Sequence, residues 1–137
     1  MEVLMSYLKF FALATPLALA LLSTPAQAQT PAEQLAAYVA QSGQPAQAAR
    51  GQEFFTTKHG KDWSCSSCHT AKPTVDGKHA STGKLITPMA PAANAQRFTD
   101  AAKTEKWFRR NCNDVVGREC TATEKADVIS WLLTLKP

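Results

Sequence analysis

Cys65-Ser66-Ser67-Cys68-His69 is the stretch whose reading decides the fold of this chain of 137 residues. C-x-x-C-H is the attachment signal of a c-type haem. Each thiol can form a thioether with a haem vinyl group, and the histidine that follows supplies the proximal nitrogen to iron. The same residues also admit a redox C-x-x-C, half of a zinc site, or coincidence. The flanking sequence has to decide among them.

On the N-terminal side the pattern is helical. Leu35, Tyr38, Val39 and Ser42 fall on one face of a segment from Pro31 to Ser42, with Pro31 suited to the first turn. Gly43 ends it. A second helix is expected from Pro45 to about Thr57, with Ala48, Gly51 and Phe55 in one stripe. A glycine four residues before an aromatic permits close approach of another helix; an ordinary core stripe would look the same. A short polar link with His59 and Gly60 leads to Trp63 and the haem motif.

Beyond the motif, residues 70–94 hold Pro73, Gly77, Gly83, Pro88 and Pro91, too many breakers for a long helix. A loop of that length in a compact domain normally has a task, and wrapping one edge of a haem is such a task. A third helix fits from about Thr99 to Arg110, with Phe98, Ala101, Ala102, Trp107 and Phe108 as apolar contacts. Asn111 to Thr121 reads as a connecting loop that turns at Gly117. Thr121-Ala122-Thr123-Glu124 then matches a capping box. Val128, Ile129, Trp131, Leu132 and Leu135 make a broad apolar face behind it. No convincing alternating strand is present. The expectation is an all-α, cytochrome c-like fold of about four helices around one covalently attached haem.

The domain is expected to occupy residues 29–137. Before it, Phe10 to Ser23 is an apolar run too short to span a bilayer comfortably, preceded by Lys9 and followed by Ala26-Gln27-Ala28. This reads as a secretory signal peptide over residues 1–28, cleaved to leave Gln29 first; an uncleaved anchor is the alternative. Export implies an oxidising compartment such as the periplasm, where free thiols rarely persist. The chain has four cysteines, Cys65, Cys68, Cys112 and Cys120. If thioethers consume the first two, the last two remain as a disulfide. The net charge of +4 comes without a block of like charges, so no nucleic-acid surface is inferred. A mild positive excess suits haem propionates and an acidic redox partner.

What sits opposite His69 decides the function. Met89 is the obvious candidate by type, and His69/Met89 ligation would make a plain electron carrier. It lies only 20 residues after His69, which forces the chain across the haem edge at once. His79 is nearer still, with solvent exposure expected, and His59 is expected at the surface. Asn111 lies 42 residues after His69, although asparagine also favours a helix C-cap. A zinc module built from the four cysteines is a further alternative. A thioredoxin-like site would need a βαβ context that this chain lacks.

The segment Trp107-Phe108-Arg109-Arg110-Asn111-Cys112-Asn113-Asp114-Val115-Val116-Gly117-Arg118-Glu119-Cys120-Thr121 resembles the sphaeroides-type haem proteins, soluble monohaem cytochromes c related to the methylotroph cytochrome c″. The likeness extends back through Thr82 to Pro91 and through Arg97-Phe98-Thr99 to the haem motif. It implies Asn111 as the second axial ligand, where the cytochrome c″ branch has a histidine, and a disulfide between Cys112 and Cys120. Met89 stands where related chains commonly carry leucine, which implies packing beside the haem without ligation. Arg109 and Arg110 are candidates for propionates or the distal pocket; a solvated basic pair at a helix C-terminus is the plain alternative.

An amide oxygen is a hard, weak donor, tolerable to ferric iron and poor for ferrous iron. Release of Asn111 on reduction, with binding of O₂, NO or CO, is therefore expected of a high-spin cytochrome that also takes part in electron transfer. The resemblance implies another c-type cytochrome as electron donor, such as a dihaem one linked to a membrane cytochrome b. The reading is of a non-enzymatic protein, with turnover of O₂ or NO as an extension open to related chains.

Overall fold

The computed structural model describes residues 28–137; the signal-peptide reading of residues 1–28 falls, but for Ala28, outside them. Five helices and one short ribbon follow in order: α1 Pro31–Ser42, α2 Ala48–Thr56, α3 Ser66–His69, β1 Gly77–Lys78, β2 Leu85–Ile86, α4 Ala101–Val115 and α5 Ala122–Thr134. No helix among the described residues is long and apolar enough to cross a membrane.

α1 has the bounds expected of it. Thr30 and Glu33 close a capping box at its start, and Gly43 ends it in the left-handed conformation. α5 begins with the expected box between Thr121 and Glu124. α2 starts later than the sequence suggests, because Gln47 in extended conformation precedes Ala48.

The core lies where α1, α2 and α5 meet. Tyr38, Phe55, Ala126, Val128, Ile129, Trp131 and Leu132 are buried there together with Phe98. α2 packs along α5, and α1 packs against α5 as well. Gly51 makes the α2–α5 approach possible, since a β-carbon there would overlap the backbone carbonyl of Asp127. The side chain of Asp127 adds a polar clasp by accepting from Gln47 N at 2.6 Å and Arg50 Nη2 at 2.9 Å.

Two expectations need correction. α4 runs on to Val115, so Asn111 and Cys112 sit in a helix and not in the connecting loop. No proline or glycine interrupts 101–116, and Val115 is buried one turn beyond Asn111, so packing outweighs the capping preference of asparagine. The 70–94 stretch also contains a ribbon, with Gly77 opposite Ile86 and Lys78 opposite Leu85 in antiparallel register. It is two residues deep, too short to leave an alternating pattern in sequence.

Candidate functional site

The haem motif opens with Ser64, whose N–H donates to Ser67 Oγ at 3.0 Å, and closes into the single turn of α3. Cys65 and Cys68 take no part in a disulfide, and His69 ends the turn. Directly after it, Thr70 takes φ 65° and ψ 160°, a region almost reserved for glycine. The ribbon is pressed onto this turn. A β-carbon at Gly77 would overlap the carbonyl of Cys68, and Ala80 N–H points at Cys68 Sγ from 3.3 Å.

A cavity of about 760 Å³ opens beside the motif. Cys65, Cys68 and His69 form part of its wall, the ribbon contributes His79 and Ile86, and Met89 and Arg97 come from the segment that follows. α4 lays one face along it: Thr104, Trp107, Phe108, Asn111 and Val115 recur at helical spacing on the wall. The structure thus brings together the motif and both candidates for the second axial position.

Burial pushes the His69 imidazole down to about 4, with the nearby charge of Arg97 adding to the effect. It is therefore neutral near pH 7, the form that binds a metal. Its Nδ1 is buried without a hydrogen-bond partner, and the ring packs against Phe55 with centroids 6.1 Å apart. Burial pushes the Cys65 thiol up to about 11. A reactive redox cysteine needs the opposite shift. Cys112 and Cys120 are joined as a disulfide, with Cα atoms 5.7 Å apart. The zinc reading needs all four cysteines as ligands, and this bond takes two of them; among the described residues no group of three or more His, Cys, Asp and Glu is placed to hold a metal ion. Paired thiols, a neutral imidazole and a largely apolar cavity of this size fit a haem held through Cys65, Cys68 and His69.

The remaining candidates divide. Arg110 is on the wall, its guanidinium 5.6 Å from the centre of the Trp107 ring. Arg109 is exposed and pairs with Glu119 at 3.2 Å, away from the wall. His79 is half-buried and not solvent-exposed as expected; its Nδ1 accepts from the backbone N–H groups of Ser81 and Thr82 at 3.3 Å. His59 is also half-buried, stacked on Phe54 with centroids 4.3 Å apart, and its Nε2 donates to the Phe54 carbonyl. Arg97 enters the sequence reading only within the family likeness, without a role of its own. A single arginine outside any helical stripe carries no periodic signal.

A helical fold wrapped on such a motif and cavity defines a c-type cytochrome, and comparison with known proteins says which kind. Residues 41–132 match the family described as "Domain of unknown function (DUF1924)". The cytochrome c-type protein SHP of Cereibacter sphaeroides is 49% identical over 119 residues, which span 82% of this chain and 92% of SHP. Cytochrome c″ of Methylophilus methylotrophus is 49% identical over 80 residues, or 58% of this chain and 56% of that protein. The structure of oxidised SHP, described as an oxygen-binding cytochrome c, superposes with a TM-score of 0.74 at 47% identity, covering 78% of this chain and 98% of SHP. Oxidised cytochrome c″ superposes with a TM-score of 0.70 at 38% identity, over 78% and 95% of the two chains. The chain belongs to the SHP and cytochrome c″ family of c-type cytochromes, and its cofactor is haem c.

Proposed function

We propose that this chain is a haem protein whose second axial ligand, Asn111, yields its place on reduction, so that a small diatomic such as O₂, NO or CO can bind. Cys65 and Cys68 carry the thioethers, and His69 is the proximal ligand. When bound, the haem supplies one-electron exchange and, with one axial position open, a site for diatomics. The observation that carries the reading is the position of Asn111 on the cavity face of α4, lining the same cavity as His69.

The residues around Asn111 fit this role. Its amide oxygen is a weak, hard donor, suited to ferric iron and easily given up by ferrous iron. Cys112, the next residue, is bonded to Cys120, so the backbone beside the ligand is tethered. Trp107 and Phe108, one turn earlier, give the space next to the amide an apolar lining. The description of SHP as an oxygen-binding cytochrome c supports the assignment by kinship.

Electron delivery is assigned to another c-type cytochrome, such as a dihaem one fed from a membrane cytochrome b, and the setting to the periplasm. Both follow from the signal-peptide reading and the family likeness.

Met89 also lines the cavity, so His69/Met89 ligation and plain electron transfer form the second reading. Absorption spectra of the holoprotein, oxidised and dithionite-reduced, with and without CO, separate the two. The expected result is CO binding by the reduced protein, a changed ferric spectrum in Asn111→Ala, and unchanged spectra in Met89→Leu. A low-spin reduced protein that refuses CO, or a methionine-to-iron charge-transfer band lost in Met89→Leu, would sink the proposal.

A further inference from the structure

Arg97 is half-buried on the cavity wall, and its hydrogen bonds all go to neutral acceptors. Nε donates to the Pro88 carbonyl at 2.8 Å, and Nη2 donates to the Thr87 carbonyl at 2.6 Å and to Thr87 Oγ1 at 3.1 Å. Among the described residues no carboxylate lies within ion-pair distance of this guanidinium, and Nη1 has no hydrogen-bond partner. Every other arginine near the site has its charge exposed or paired. Arg110 is exposed over Trp107, Arg109 pairs with Glu119, and Arg118 pairs with Glu124.

A guanidinium withdrawn from water is costly to hold unless an anion reaches it. The acids on the wall, Asp100 and Asp114, are exposed and do not pair with it. The anion that can reach Arg97 is one that enters the cavity. Haem c brings propionate carboxylates, and a guanidinium offers them the fork geometry that arginine provides best.

We propose that Arg97 holds a haem propionate through its free Nη1 edge while its Nε and Nη2 edge clasps Thr87 and Pro88. One side chain then fixes both the carboxylate and the loop that leads into Met89. This rests on the haem reading of the cavity, and it adds a cofactor-binding residue outside the motif. A positive charge held beside the haem also favours the ferrous state, because oxidation adds charge of the same sign.

The test uses holoprotein carrying haem labelled with ¹³C at the propionate carboxylates, read by redox-difference infrared spectroscopy together with the midpoint potential. In Arg97→Met the carboxylate bands should shift and the potential should fall. Arg97→Lys should recover most of the potential while still shifting the bands, because an ammonium replaces the fork. Arg110→Met should leave the bands in place. Unchanged bands in both Arg97 variants, or a shift produced by Arg110→Met instead, would overturn the proposal. If Arg97→Met does not mature, the bands of Arg97→Lys decide alone. Loss of the Soret band from the wild-type protein would be a different failure, that of the haem reading itself.

Discussion

Tyr38 on α1 donates a hydrogen bond to Glu105 on α4 at 2.9 Å, across 67 residues of sequence. Lys125 of α5 reaches the same carboxylate from 2.7 Å, and its own side chain is buried. Three helices therefore meet at one acid. Glu105→Gln would leave Lys125 as a buried cation without its counter-charge. We expect a loss of about 3 kcal/mol, read from denaturant unfolding of the holoprotein.

The same carboxylate makes stability depend on pH. Burial pushes Glu105 up, but the hydrogen bonds from Lys125 and Tyr38, helped by the charges of Lys125 and Arg109, outweigh it and hold the group below its ordinary value. The folded form thus ionises more readily than the unfolded form. Its stabilising effect is present above about pH 4.3 and is lost as pH falls through the lower folded value. The gap in unfolding free energy between wild type and Glu105→Gln should narrow in acid. A gap that widens as pH falls would contradict the assignment.

Gly51→Ala should be among the most damaging small changes in the chain. The added carbon would overlap the Asp127 carbonyl, which is backbone and cannot turn aside. Separating α2 from α5 would also strain the clasp of Asp127 on Arg50 and Gln47. The expected cost is about 3 kcal/mol in thermal unfolding. Gly43→Ala meets no neighbouring atom and carries only the left-handed backbone penalty, about 1 kcal/mol.

Asn111→His replaces a weak oxygen donor with a stronger nitrogen donor at the same helical position. The ferric protein should change from high-spin to low-spin, and CO should bind the reduced form more weakly. Electron paramagnetic resonance and CO titration measure the two effects. An unaltered ferric spin state would show that residue 111 does not reach the iron.

Replacing Cys112 and Cys120 together by serine removes a bridge with a sequence separation of 8. Chain-entropy arguments give about 2.5 kcal/mol for a loop this short. Unfolding in guanidinium should show a loss of that order. Because Cys112 follows Asn111, the ferric spectrum should also broaden into a mixture of ligation states. A stability loss without any spectral change would confine the bridge to a structural role.

The sequence made some of this legible and hid the rest for identifiable reasons. Thiols and imidazole in C-x-x-C-H carry their own chemistry, and the caps of α1 and α5 are local, so Cys65, Cys68, His69 and two helix starts could be read directly. Asn111 reads from sequence as part of a connecting loop, and it lies inside α4, on the cavity. Asparagine marks helix ends by local preference, and only the burial of Val115 shows that α4 continues. Arg97 could not be found because its meaning lies in what is missing around it, which is a property of three-dimensional packing. The Gly77–Ile86 pairing was hidden because its two glycines, Gly77 and Gly83, look like breakers whether or not a ribbon forms between them.

α4 has a bearing on how the molecule is put together. α1, α2 and α5 close on one another through their own side chains. α4 joins them mainly through the Glu105 carboxylate, the Phe108 ring against Tyr38, and the bridge to Cys120. During assembly the first three can gather as a scaffold, while the cavity face of α4 gains its main packing surface only when the cofactor arrives. Haem attachment is then the step expected to complete the packing of α4. A chain that misses it keeps the large ring of Trp107 exposed on α4, the kind of surface that quality-control proteases and chaperones engage.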